Sequence, residues 1–426
     1  MKSIGVMLAI LLALPVFGWQ DRDSDKLKIK GLKEYGKQGS TAIGKIAPYL
    51  EDSSVDVRRE AVRALVAAGT QRSLESLILA CKDNDAEVQI FAADGLVNFY
   101  LPGYVATGMS ASLKRVGGAL TSRWTDGENK DVVEPDTPVR PEIVQALSGI
   151  ATGGSAIESR ANAVRALGIL RAKDAVPALI SSLKSKDSHL MYEALVALQK
   201  VRDISTGPRV VFLLRDLDEK VQLAAIETVG LLRTEEAAKD LRRVLENPSN
   251  KKIRRAALVA LGQIPDPANR QMFLGLLGDK DDEARAAAYE GLGRIATRED
   301  RAALDKAWVE EKKTGPRLAA AFALAQMGSL ETGSYGSIGH LVNSLNLKAW
   351  RGVAQPYLAE LAVKQEPRTA ILTALGRAST TDEKTGIAQA MAACACTDAV
   401  PALQQLSKDD DAAVAKEALR ALRILR

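Results

Sequence analysis

The stretch Asp174-Ala175-Val176-Pro177-Ala178-Leu179 returns unchanged as Asp398-Ala399-Val400-Pro401-Ala402-Leu403. Leu179 stands 11 residues ahead of Leu190, and Leu403 stands 11 ahead of Val414, so both copies hold the same place in a longer period. Working outward from them, one pattern recurs: an apolar lead residue, often Arg next, Ala three further on, then a small residue and Leu. It is plainest in Val57-Arg58 with Ala61 and Ala64-Leu65, and returns 31 residues later in Val88-Gln89 with Ala92 and Gly95-Leu96. Ser159-Arg160, Leu190-Met191, Val221-Gln222, Ile253-Arg254, Ala284-Arg285 and Pro316-Arg317 follow at steps of 31 or 32, then Trp350-Arg351, Glu383-Lys384 and Val414-Ala415. Self-similarity at such a period marks a stack of identical supersecondary units.

Each unit reads as two helices. In the first, Arg160 to Leu170, the residues Ala163, Ala166, Leu167 and Leu170 stand at i, i+3, i+4 and i+7, an apolar stripe whose small members admit a close neighbour. In the second, Ala175 to Leu183, Pro177 falls in the first turn, where its missing N–H costs little. Lys184-Ser185-Lys186-Asp187 links to the next unit. One hairpin cannot bury its apolar face alone, so the units must stack. Composition agrees: 46% of residues are apolar but only 4% aromatic, a balance suited to close-packed helices and poor for strands.

The pattern resembles the HEAT repeat, and more closely the bacterial HEAT-like repeats of the phycobilisome-lyase (PBS lyase) type, which carry an acidic turn, a Val-Arg pair and Ala-Leu-Gly. Gly168, Gly230, Gly262, Gly293, Gly328 and Gly376 fall at or close to the glycine register. The resemblance implies an all-α fold, an α-solenoid or α-α superhelix of the armadillo/HEAT type. About twelve two-helix repeats would make a curved rod, its second helices lining the concave face. The expected organisation is 1–18 signal peptide, 19–50 Lys-rich N-terminal cap, 51–122 repeats, 123–140 inserted loop, 141–327 repeats, 328–340 Gly/Ser-rich loop, and 341–426 repeats ending in an unpaired helix.

Superposed units would align Arg58, Arg160, Arg254, Arg285, Arg317 and Arg351 in a row. Such a row could be an anion track, or a set of staples in which each guanidinium bonds an acidic turn such as Asp52, Asp281 or Asp282, or a neighbouring carbonyl. The staple reading is favoured, because a planar group with several donors suits it.

At the N-terminus, Lys2 and an apolar run from Ile4 to Phe17 are too short to cross a bilayer, and Val16 and Gly18 hold small-residue positions before a cut. An exported chain beginning at Trp19 is expected, periplasmic or secreted. The net charge of +5 is matched by Lys26, Lys28, Lys30, Lys33, Lys37 and Lys45 against Glu34 alone, so the body is nearly neutral. A neutral body argues against nucleic acid. The basic head reads as a solvated face, with weak contact to anionic surfaces as the alternative.

The longer interval from Val88 to Ser159 holds Trp124-Thr-Asp126-Gly127-Glu128-Asn-Lys130-Asp131, whose acids do not follow an EF-hand spacing. The Gly/Ser segment 328–339 carries one aromatic, Tyr335. Trp124 and Tyr335 are the binding candidates that sequence alone offers. Leu419, Leu422 and Leu425 of the last helix lack a covering second helix, which suggests a dimer or partner contact.

Catalytic and metal residues are not identified. Two His and three Cys make a multi-ligand metal centre hard to assemble. His189 and His340 lie outside the His-Glu pairs of the family's di-iron hydroxylases. Cys394 and Cys396 would diverge on a helix, so an easy disulfide is not expected, and Cys81 reads as a buried filler. No cofactor is implied. The functional expectation is an exported, non-catalytic scaffold that binds a protein partner through the concave face. A bilin lyase or small-ligand carrier is a second reading, which export disfavours. An envelope-surface protein using its basic head is a third.

Overall fold

The computed structural model describes residues 17–105 and 132–425, with side chains from residue 23 onward. All regular elements among them are helical. After an N-terminal helix, Phe17–Lys37, the first helices of successive units are Val55–Ala68, Ala86–Tyr100, Ile157–Ile169, Ser188–Val201, Glu219–Leu231, Lys251–Gln263, Asp282–Ile295, Thr314–Gln326, Lys348–Ala362, Thr381–Ala393 and Ala412–Ile424. Second helices are mostly shorter, such as Val176–Ser182, Arg270–Leu276 and Val400–Leu406. In one unit two 3-10 turns, Ile204–Arg209 and Val211–Arg215, take that place, and Pro208 stands inside the first of them.

Sequence fixes where the helices begin and end. In several units the polar turn supplies the N-cap of the next first helix, whereas Ser54, Ala156, Lys313 and Leu347 stand there without a side-chain cap bond. Asp85, Asp187, Asp218, Asp281 and Asp411, and Asn250 likewise, accept hydrogen bonds from backbone N–H groups of the first turn. At the other end the chain turns through a left-handed residue. Gly69, Arg171, Arg202, Arg233, Ala296, Gly328 and Ala395 all have φ between 51° and 90°. There Ala172, Thr234, Ser329 and Cys396 donate back to Leu167, Val229, Leu324 and Met391, closing Schellman turns.

First helices stack on first helices, and the repeat glycines make the approach possible. A Cβ on Gly168, Gly230 or Gly293 would lie 2.7, 2.8 or 2.5 Å from the Cα of Ala197, Ala260 or Ala323 in the next unit. Gly328 serves differently, as a left-handed turn, and a Cβ on Gly376 would have only the Thr373 carbonyl nearby, at 3.5 Å.

The interval between Val88 and Ser159 holds a single stacking step. Helix Ala86–Tyr100 packs directly on Ile157–Ile169, where Asn162 donates to Asp94 at 2.9 Å and the Ser155 N–H donates to Gln89 at 3.0 Å. Helix Pro141–Gly153 occupies the second-helix layer between Ser73–Ala80 and Val176–Ser182. The extra length thus lies between the two helices of one hairpin, which leaves the stack continuous.

The concave face is formed by the first helices, contrary to the expectation from the resemblance. Contacts that skip whole units come from their side of the array. Tyr357 Oη donates to Glu290 at 2.6 Å, and Arg233 pairs with Glu360 at 2.6 Å, 127 positions away along the chain. The cause is the alanine- and glycine-rich first-helix layer, which packs more closely than the second-helix layer and so forms the inside of the bend. The rod curls until its last helix meets residues 134–136: Arg420 pairs with Glu134, and Arg423 approaches Asp136 at 3.6 Å.

Candidate functional site

Most charged groups along the stack are occupied in holding units together. Second helices end with carbonyls that lack helical partners. The arginine row reaches six residues back to them. Arg58 donates to the Asp52 carbonyl at 3.0 Å, Arg285 to Asp279 at 2.7 Å, Arg317 to Glu311 at 3.3 Å and Arg351 to Leu345 at 2.8 Å, while Arg160 takes Ala151 at 3.2 Å. The same groups reach forward to the next acidic turn. Arg58 meets Asp83 at 2.7 Å, Arg254 meets Asp279 at 3.4 Å, Arg285 meets Glu311 at 2.8 Å, and Arg351 meets Asp382. Of the turns named from sequence, Asp282 bonds Arg285 at 2.9 Å, whereas Asp281 bonds Arg255 at 2.7 Å. Burial raises the Glu311 carboxyl, but Arg285 and the N–H groups of Lys312 and Lys313 outweigh it and hold it below the usual range. The row is a set of staples, in which the Arg317 Nε alone is buried without an acceptor among the described residues.

A second charged group lies inside the curl. Glu290 is fully buried. It accepts from Tyr357 at 2.6 Å and from Arg294 at 2.7 Å, and Arg294 also donates to Glu360 and, at 2.7 Å, to the Gly262 carbonyl. Phe322 stacks on Tyr357 at 4.5 Å, and the Arg294 guanidinium lies 4.9 Å from the Phe322 ring centre. Every polar group of the cluster has a partner, as a buried ion network requires.

Arg171 and Arg202 differ. They take the left-handed turn position in consecutive units, and Arg233 takes it in the next, at steps of 31. Arg233 pairs with Glu360, but among the described residues neither the Arg171 nor the Arg202 side chain makes a hydrogen bond or ion pair, and the Arg171 Nε is buried without an acceptor. Burial and the positive charges of Arg202 and Arg420 lower the pKa of Arg171, against an opposing influence of Glu134. Arg202 is solvent-exposed, yet surrounding protein lowers its pKa too. The sequence carries the signal, three arginines 31 apart just after the first helices, separate from the row at the helix starts.

Tyr335 is 92% exposed in the turn between helices Thr314–Gln326 and Ser337–Asn343. That segment is tied down by the Gly336 N–H to Gly333 at 2.8 Å, by Ser337 to the Ser329 carbonyl, and by Arg377 to Thr332 at 2.9 Å. Trp124, with Asp126, Glu128 and Asp131, lies outside the described residues, as does most of the expected signal peptide. His189 is exposed near a helix start. His340 packs edge-on to Trp308, and burial with the nearby charge of Arg317 lowers its pKa. Cys81 is buried, its thiol pushed up to about 12. Cys394 and Cys396 are joined by a disulfide, contrary to expectation: the helix ends at Ala393, and left-handed Ala395 folds the chain back until the two Cα atoms are 5.2 Å apart. In the basic head, Lys28 bonds Asp52 at 2.8 Å and Lys37 bonds Glu34 at 2.9 Å. Leu422 and Leu425 pack against the core, leaving Leu419 half exposed on the last helix.

The model for HEAT repeats matches residues 208–272 and 245–325, and that for the PBS lyase HEAT-like repeat matches 57–83 and 159–185. The chain carries HEAT repeats. Among solved structures it is similar to YibA of E. coli, with 13% identity over 70% of this HEAT chain and 94% of that one, TM-score 0.41. It is also similar to an engineered protein, with 21% identity over 96% of both chains, TM-score 0.34. A third is Kap121p, with 13% identity over 90% of this chain, which spans 45% of that one, TM-score 0.37. No curated protein matches.

Proposed function

We propose that this HEAT-repeat protein is exported and acts as a non-catalytic scaffold that binds a protein partner on its concave face. The observation that carries the reading is the inner face itself. A continuous layer of first helices forms the inside of the bend, and at its turns stand Arg171 and Arg202, whose side chains have no partner among the described residues. Solenoids use such surfaces for extended binding. The groups most suited to chemistry are otherwise committed: Cys81 is buried, Cys394 and Cys396 are bonded to each other, and His340 is enclosed beside Trp308. Export is supported by Lys2 and the apolar run Ile4 to Phe17, and no helix among the described residues is long and apolar enough to cross a membrane.

Capture with protein 19–426 from the exported fraction of its host, read by mass spectrometry, tests the proposal. One reproducible protein partner is expected, lost when inner-face residues are changed. A co-purifying pigment in place of a partner would refute it. N-terminal sequencing of the exported form should begin at Trp19, and an intact Met1 there would refute export.

A further inference from the structure

We propose that Arg171 and Arg202 form a binding site for the carboxylates of an extended acidic segment of the partner protein. The inference rests on the scaffold reading and specifies what the concave face takes.

Position is the first ground. A left-handed residue with a Cβ is strained, and glycine is the natural occupant. Gly69 and Gly328 fill this place in other units. Arginine fills it three times running, at 171, 202 and 233, which sets three long cationic side chains on one edge of the stack. Arg233 shows what that placement is suited to, since its guanidinium takes the carboxylate of Glu360 at 2.6 Å. Alanine bears the same strain at 296 and 395, so it is the run of three arginines, and not the strain, that sets these units apart.

The second ground is that two of the three remain unmatched. Among the described residues the Arg171 and Arg202 side chains have no hydrogen-bond acceptor, and although Glu134 lies near Arg171, Arg202 and Arg420 both bring positive charge beside it. A guanidinium cannot shed its proton to relieve this crowding. An arriving anion can.

The third ground is an example within the chain. The irregular segment Glu134-Pro135-Asp136 lies along the last helix with Glu134 on Arg420 and Asp136 near Arg423. A short acidic, proline-containing stretch is therefore already seated on arginines at the rim of the concavity. Spacing favours the same kind of ligand. Neighbouring helices pack about 8–10 Å apart. A polyproline II segment rises about 3.1 Å per residue with three residues per turn, so every third side chain returns to one face at about 9 Å. An acid at every third position would meet Arg171 and Arg202 in turn.

The test measures binding of a labelled peptide of four Glu-Pro-Pro triplets to protein 19–426 by fluorescence anisotropy. The Gln-Pro-Pro analogue and inorganic phosphate serve as comparison ligands, and the variants are Arg171→Gly/Arg202→Gly and the exposed control Arg243→Gln. Glycine suits the left-handed turn, so the double variant is expected to keep its melting temperature while binding the acidic peptide at least tenfold more weakly. The control should bind normally, the Gln analogue should not bind, and raised salt should weaken the complex. Equal binding by the double variant, or no binding of the acidic peptide, overturns the proposal. So does phosphate that binds the wild type while the peptide does not, since the site then takes a free oxyanion. A partner captured equally by wild type and double variant would leave the scaffold reading standing and remove this site alone.

Discussion

Replacing Arg294 by methionine removes the centre of the buried network while keeping a long flexible side chain in its volume. In the wild type Arg294 serves Glu290 and the Gly262 carbonyl, both at 2.7 Å, and also Glu360. After the change Glu360 retains Arg233, but Glu290, with no exposed surface, loses the Arg294 guanidinium while keeping the Tyr357 hydroxyl. Breaking a buried ion pair from one side costs about 3–5 kcal/mol, because a charge is left uncompensated. Domain stabilities are about 5–15 kcal/mol, so the loss is a large share of the whole. Urea denaturation followed by far-UV circular dichroism reads the total. Hydrogen exchange in Asp282–Ile295 and Lys348–Ala362 shows whether the weakening is local, as a repeat array permits. Adding Glu290→Leu removes the stranded charge, so the double variant should recover at least half of the loss. A single variant within about 1 kcal/mol of wild type, or a double variant no better than the single, would refute the argument that the network is electrostatically coupled.

Other expectations follow from the same geometry. Gly293→Ala should destabilise strongly, because its methyl would stand 2.5 Å from the Ala323 Cα, whereas Gly31→Ala, with nothing within 4 Å, should gain up to about 1 kcal/mol. Equal effects in thermal melts would contradict the close-packing account. The half-buried His340 has a pKa lowered from 6.5, so the unfolded chain takes up the proton first and stability should fall as pH drops below 6.5. His340→Phe should flatten that stretch of the curve, and an unchanged slope would assign it elsewhere. Glu311 and Asp85 are held below their ordinary values, so their stabilisation is full at pH 7 and fades only as pH falls through those lowered values. Glu311→Gln should therefore cost more at pH 7 than at pH 3, and a constant difference would exclude the Arg285 staple as its cause.

Sequence reading reached the architecture because the signals were local and repeated. Pro177, the Ala163 to Leu170 stripe and the acidic turns each have one physical meaning, and repetition removes ambiguity. The staple role of Arg58 and Arg285 was legible for the same reason. Curvature was not. Which layer faces inward depends on small differences in packing distance summed over many units, and these do not show as a pattern within any one unit. The Cys394–Cys396 disulfide escaped because a helical register was carried one residue too far, past the left-handed turn at Ala395. The interruption after Tyr100 was visible as length, but length alone does not say whether residues enter between units or within a hairpin. Arg171, Arg202 and Arg233 were in plain view at the repeat period, on a turn whose inward position appears only once the array is curled.

The meeting of Arg420 and Arg423 with Glu134 and Asp136 makes the molecule mechanically unlike an open solenoid. An open stack behaves as a spring, stretching by small adjustments at every interface. Here the last coil is latched to an early one, and bending at any interface must strain the latch. Glu134 and the Arg423 side chain are exposed, so salt screens the latch while leaving the buried interfaces intact. Ionic strength thus becomes a stiffness control. Small-angle scattering should show a larger radius of gyration at 1 M salt with helicity unchanged, and a radius indifferent to salt would mean that the coils hold their spacing without the latch.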